Sequence, residues 1–128
     1  MKTTATVALM LVRLCGLVLV TLGILFWTGN ALTLIPVHML VGLVLVLALW
    51  TLAGLAAAAG VRPPQVAAAF VWGLVVPVLG LTQDSILTGD PQHHLVRVLH
   101  LVVGLGAIGM AEGLGAAIRR REPGTAGA

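Results

Sequence analysis

Between residues 5 and 27 the chain carries a single charged side chain, Arg13, and between 35 and 59 and again between 66 and 82 it carries none. A fourth run, 93–118, holds only Arg97 and Glu112 as charged residues. Each run is close to the ~20 residues that a helix needs to cross the ~30 Å hydrocarbon core of a bilayer. Lipid cannot hydrogen-bond a backbone, so a spanning segment must be a helix or part of a closed barrel. These runs are continuously apolar rather than alternating, which selects the helix. The expected fold class is all-α, an integral membrane four-helix up-down-up-down bundle over residues 1–121, with 122–128 (EPGTAGA) as a disordered tail.

Composition agrees, and it removes other classes. Mean hydropathy is +1.12, and 9% of residues are charged against 59% apolar, which excludes a soluble domain. Little lies outside the bilayer, so any chemistry belongs within the helices or at their ends. The sequence lacks a glycine-rich phosphate loop, a Cys-x-x-Cys pair, a histidine–acid zinc signature and a nucleophile beside a base. The first run is too long for a signal peptide, carries Arg13 and is followed by no small-x-small site, so it is read as a retained helix. Cys15, the lone cysteine, reports nothing about redox compartment.

The cations set the topology. Lys2, Arg62, Arg119, Arg120 and Arg121 fall at one end of the expected bundle, whereas Asp84 and Asp90 fall in a loop free of Lys and Arg. By the positive-inside rule both termini are expected in the cytoplasm, in a multi-pass protein of the cytoplasmic (inner) membrane. The net charge of +3 is therefore a topology signal, and nucleic acid is not an expected partner. Pro36 suits a first helical turn, Pro63 and Pro64 a tight turn, and Pro77 a kink within the third helix. Trp27 suits an interface anchor, and Trp72 either that or an inward position.

The chain also repeats itself. GLVLVTLG (16–23), TGN (28–30) and HMLVG (38–42) return as GLVVPVLG (73–80), TGD (88–90) and HLVVG (100–104), with offsets of 57, 60 and 62 residues. Two helices per copy (about 5–59 and 66–118) give two parallel repeats related by an axis along the membrane normal. The second and fourth helices then face each other on a diagonal, about 11–14 Å apart if neighbours pack at 8–10 Å.

That symmetry places His38 and His100 in equivalent positions, about 10 Å below the extracytoplasmic surface. Each is followed four residues later by glycine, Gly42 and Gly104, whose missing side chains clear space on the same helix face for a flat ring. A single histidine in an apolar bundle is more often a hydrogen-bonded core residue. Two at one depth, on repeat-related helices and with matched glycines, point to a pair of metal ligands.

Here the chain resembles membrane-embedded b-type cytochromes with bis-histidine ligation, on the histidine-then-glycine pattern of HMLVGLVLVLALW and its counterpart in helix four. The resemblance implies one haem b with His38 and His100 as axial ligands. Two-haem members need a second histidine pair in the other leaflet, and all four histidines of this chain lie in the outer half. Arg97 and His93 share the stripe of His100 and Gly104. Arg97 suits a haem propionate, and His93 a propionate or a quinol. His94 points elsewhere, toward the interface.

Arg13 and Glu112 form a second constellation. Intramembrane charges are costly and usually paired, and the two fall at comparable depth near the cytoplasmic boundary on adjacent helices. A structural ion pair is expected; Arg119 is the alternative partner for Glu112.

The function expected is one-electron transfer through one haem near the outer face, linked to a quinone or to a redox partner protein, within a larger membrane complex or alone. Haem handling uses the same ligands without a redox partner. Closed coordination argues against oxygen activation. The alternative is a cofactor-free accessory subunit or a small proton-coupled transporter.

Overall fold

The computed structural model describes residues 1–82 and 90–121, apart from the side chains of 90–93. The expectations for the 83–89 loop with Asp84, for the second TGD, for the tail 122–128 and for the side chain of His93 lie outside the described residues. Helix α1 spans Lys2–Trp27. A short 3-10 turn at Leu32–Leu34 leads into α2, Ile35–Ala58. Helices α3, Pro63–Thr82, and α4, Asp90–Arg121, complete the chain. All four are long and apolar enough to cross a membrane, and this is a multi-pass membrane protein built as an all-α four-helix bundle.

Both ends of the α1–α2 hairpin are shaped by glycine. After α1, Gly29 at φ +76° donates to the Phe26 carbonyl (3.0 Å) and Asn30 to that of Leu25 (2.9 Å). After α2, Gly60 at φ +73° donates to Ala57 (3.0 Å) and Val61 to Ala56 (2.9 Å). Both are Schellman endings, in which a left-handed glycine lets the chain cap its own carbonyls. Pro63 and Pro64, which the sequence reading singled out for the second turn, start α3 instead, where a missing N–H costs little. Pro36 occupies the first turn of α2 and Pro77 lies inside α3, where it cannot donate to the Gly73 carbonyl.

Successive helices are neighbours, and α4 returns to α1. Of the two diagonals, α2 and α4 touch directly, whereas α1 and α3 do not. Small residues permit this: Ala48, Ala53, Ala56, Ala107 and Ala111 are all buried, and alanine lets helix backbones approach closely. The bundle is thus a rhombus about α2 and α4, tighter across that diagonal than the open square expected from the sequence. The span on α4 is the most enclosed, 33% buried against 17% for α1 and for α3, so α4 is a central helix.

Among the described residues the core lies in one half of the bundle. Its contiguous cluster runs over Ala5–Val12 of α1, Leu45–Ala56 of α2, Ala69 of α3 and Ala107–Ile118 of α4. That is the end carrying Lys2, Arg62, Arg119, Arg120 and Arg121. Arg121 closes it by donating from Nη1 to the Gly60 carbonyl at 2.6 Å. Among the described residues, the buried apolar side chains outside this cluster are only Leu22, Val46, Val96 and Val103. Among the described residues, the opposite half, which contains the histidines, has no contiguous packed core.

Candidate functional site

In that half His38, in the first turns of α2, and His100, on α4, face each other across the short diagonal. Their ring centroids are 6.4 Å apart and their planes are inclined by 47°. Both rings are half-buried, and the Nδ1 atom of each is sealed from solvent without a hydrogen-bond partner. An unpaired buried polar atom costs free energy that native structures avoid unless something else occupies the site. His100 lies about 9 Å along α4 from His94, six residues up the helix.

Above the pair, Trp27 at the end of α1 lies 6.4 Å from the exposed ring of His94, with the planes within 23°. Trp27 and His94 are both exposed at this end, and His94 stacks on Trp27 rather than joining the pair. Two wall residues were missed. Phe26 packs on His38 at 5.4 Å, and Gly80 of α3 lies against His100, where a Cβ would come 3.1 Å from Cε1. Gly80 closes the second GLVVPVLG motif, so the repeat held a signal for it. Its counterpart Gly23 has nothing within 4 Å, which marks where the two copies diverge.

The other residues singled out divide. Nothing lies within 4 Å of a Cβ built at Gly104, and at Gly42 only Leu19 Cδ2 does, at 3.9 Å. Both glycines therefore border open or loosely filled space beside the histidines rather than tight helix contacts. Arg97, half-buried, stands one turn above His100 on α4. Trp72 packs inward and donates from Nε1 to the Val103 carbonyl at 2.8 Å, one turn below His100.

The donor set can be tested against candidate groups. A metal held at ~2.0 Å by one nitrogen of each ring would separate the ring centres by about 6 Å, close to the 6.4 Å observed. Among the described residues no three of His, Cys, Asp and Glu come together, so a bare zinc-type site, which needs three or four protein ligands, does not fit. Two imidazoles do fit a metal that brings its own in-plane ligands, as haem iron does.

The second constellation is a bidentate ion pair. Arg13 donates from Nε to Oε1 of Glu112 at 2.6 Å and from Nη2 to Oε2 at 2.9 Å. Glu112 takes Arg13, and not Arg119, as its partner. Because α1 begins at Lys2 and α4 runs on to Arg121, Arg13 lies about 16 Å and Glu112 about 14 Å from the basic end. The two therefore stand at comparable heights on neighbouring helices.

Compared with protein-family models, with curated proteins and with solved structures, the chain matches none. The functional reading consequently rests on the residues and their geometry.

Proposed function

We propose that the protein is a small b-type cytochrome of the cytoplasmic membrane that holds one haem b between α2 and α4, near the extracytoplasmic face, for one-electron transfer. The single observation that carries the reading is the His38–His100 pair, 6.4 Å apart with both Nδ1 atoms orphaned. It lies in the half of the bundle that, among the described residues, has no packed core of its own. When bound, haem b supplies a reversible one-electron couple. The chain's own residues do the rest. His38 and His100, neutral as ligation requires, would hold the iron, and two protein ligands would leave little room for oxygen to bind. Gly42 and Gly104, with little or nothing near a built Cβ, would leave room for the ring, while Phe26 and Gly80 pack against the imidazoles of His38 and His100. Arg97, and His93 beyond it, supply positive charge or hydrogen bonds for the propionates at the outer edge.

The cations at the opposite end orient the protein with both termini in the cytoplasm. One haem in the outer leaflet does not reach the inner surface, so electrons are exchanged at the outer face with a quinol or a redox protein, or passed on within a larger complex. Haem storage or delivery uses the same site without a redox partner. A potentiometric titration of the haem-loaded protein in lipid vesicles separates the two. Electron transfer predicts a reversible transition with a one-electron slope and no loss of haem over repeated cycles. Haem release on reduction, or an irreversible change, would contradict the electron-transfer role.

A further inference from the structure

The Arg13–Glu112 pair lies on the outside of the bundle. The side chains are 47% and 39% exposed, and their place along α1 and α4 puts that exposed face in hydrocarbon, where a charge is expensive unless it is covered by protein. The pair is also unsaturated. Of the five N–H donors of a guanidinium, Nε and Nη2 each give a hydrogen bond to Glu112, and the carboxylate oxygens keep further lone pairs. Acyl chains offer nothing to either group.

We infer that the α1/α4 face is a homodimer interface, with the twofold axis along the membrane normal beside the Arg13–Glu112 pair. Such an axis keeps both copies in the same orientation and depth, and it sets α1 of one copy opposite α4 of the other. Donors of Arg13 then meet the carboxylate of the partner's Glu112, and the reverse, so two half-exposed pairs become one enclosed cluster of four charges. The face is self-complementary, as an isologous contact must be.

Its surroundings fit a helix-packed partner. Gly109 and Gly113 flank Glu112, are exposed and have nothing within 4 Å of a built Cβ; small residues at this spacing let a second helix approach closely. Leu17 on α1 and Leu105 on α4, 68% and 50% exposed, supply apolar contact on the same side of the bundle. Toward the basic end the groove widens into a cleft of about 330 Å³ lined by Lys2, Ala5, Thr6, Gly115, Ile118 and Arg119. An anionic lipid head group would suit that cleft, but its chains would lie against the ion pair and leave it uncovered, so a second copy is the better occupant. The inference is independent of haem.

The test uses the full chain in dilute lipid vesicles, counted by single-molecule photobleaching, together with cysteine cross-linking in a Cys15→Ala background. A dimer is expected, with cross-links between a Leu17→Cys copy and a Leu105→Cys copy and none through Val71→Cys on the outer side of α3. Glu112→Gln should weaken dimerisation about tenfold or more, as loss of interhelical hydrogen bonds in lipid does. Arg13→Glu with Glu112→Arg should restore it, because the swap regenerates the pairs within and between copies. If Glu112→Gln does not fold, Leu105→Trp decides, since it alters only the outer face and must still weaken the dimer. A chain that stays monomeric at all densities, with or without retained lipid, or one that cross-links equally through Val71→Cys, overturns the inference.

Discussion

His38→Ala and His100→Ala should each abolish the split low-spin absorption of the haem-loaded protein and lower retained haem by about tenfold or more. Loss of groups that merely support a metal ligand already costs 10–100-fold, and these substitutions remove the ligand itself. Neither should unfold the bundle, because both histidines lie outside the contiguous core that runs over Leu45–Ala56 and Ala107–Ile118. Replacing either with alanine also removes a buried Nδ1 that has no partner, so the haem-free chain should be no less stable than the parent. His94→Ala is the control: its ring is exposed and stands beside Trp27, and the spectrum should persist. Absorption spectra of the three variants, with circular dichroism to report helicity, check all three expectations.

A large stability effect is expected at a glycine that touches no histidine. A Cβ at Gly106 would come 2.7 Å from Cζ2 and 3.1 Å from Nε1 of Trp72, whose indole is held by its 2.8 Å hydrogen bond to the Val103 carbonyl. Gly106→Leu must therefore expel the indole, leaving an N–H unpaired in an apolar setting, or push α3 away from α4. Overpacking of this kind costs about 1–3 kcal/mol, and interhelical hydrogen bonds in membranes add roughly 0.6 kcal/mol. A loss of about 2–3 kcal/mol in mixed-micelle unfolding is expected. The penalty is steric, so lipid does not relieve it as it relieves simple exposure of apolar surface. Gly104→Ala, with nothing within 4 Å of its Cβ, should leave the stability of the haem-free chain nearly unchanged. Comparable losses at both positions would show that helix propensity, and not contact with Trp72, sets the cost.

The helices were legible because lipid removes alternatives: an uncharged run of membrane length has only one way to satisfy its backbone. Their ends were less legible. The three arginines at 119–121 are polar yet helical, since cations are favourable in the last turn of a helix and Arg121 bonds Gly60; Lys2 is helical at the start of α1, where the dipole gives a cation no such support. The Arg13–Glu112 pairing followed from two lone charges on adjacent apolar helices. The turn at Gly60 was hidden behind the more conspicuous prolines. The histidine pair was readable through the repeat, whereas Phe26 and Gly80 around it depend on how α1 and α3 pack against α2 and α4. The one-sided core was not readable, because apolar residues are as frequent in the histidine half, and only tertiary contact separates a packed side chain from one facing lipid or an open flank.

The most direct test of the account is a titration of haem into the detergent-purified, haem-free full-length chain, followed by absorption in the oxidised and dithionite-reduced states. The account predicts saturation at one haem per chain, with sharp low-spin bands that split on reduction. A chain that remains colourless, or binds haem with a high-spin spectrum unaffected by His38→Ala and His100→Ala, would contradict it.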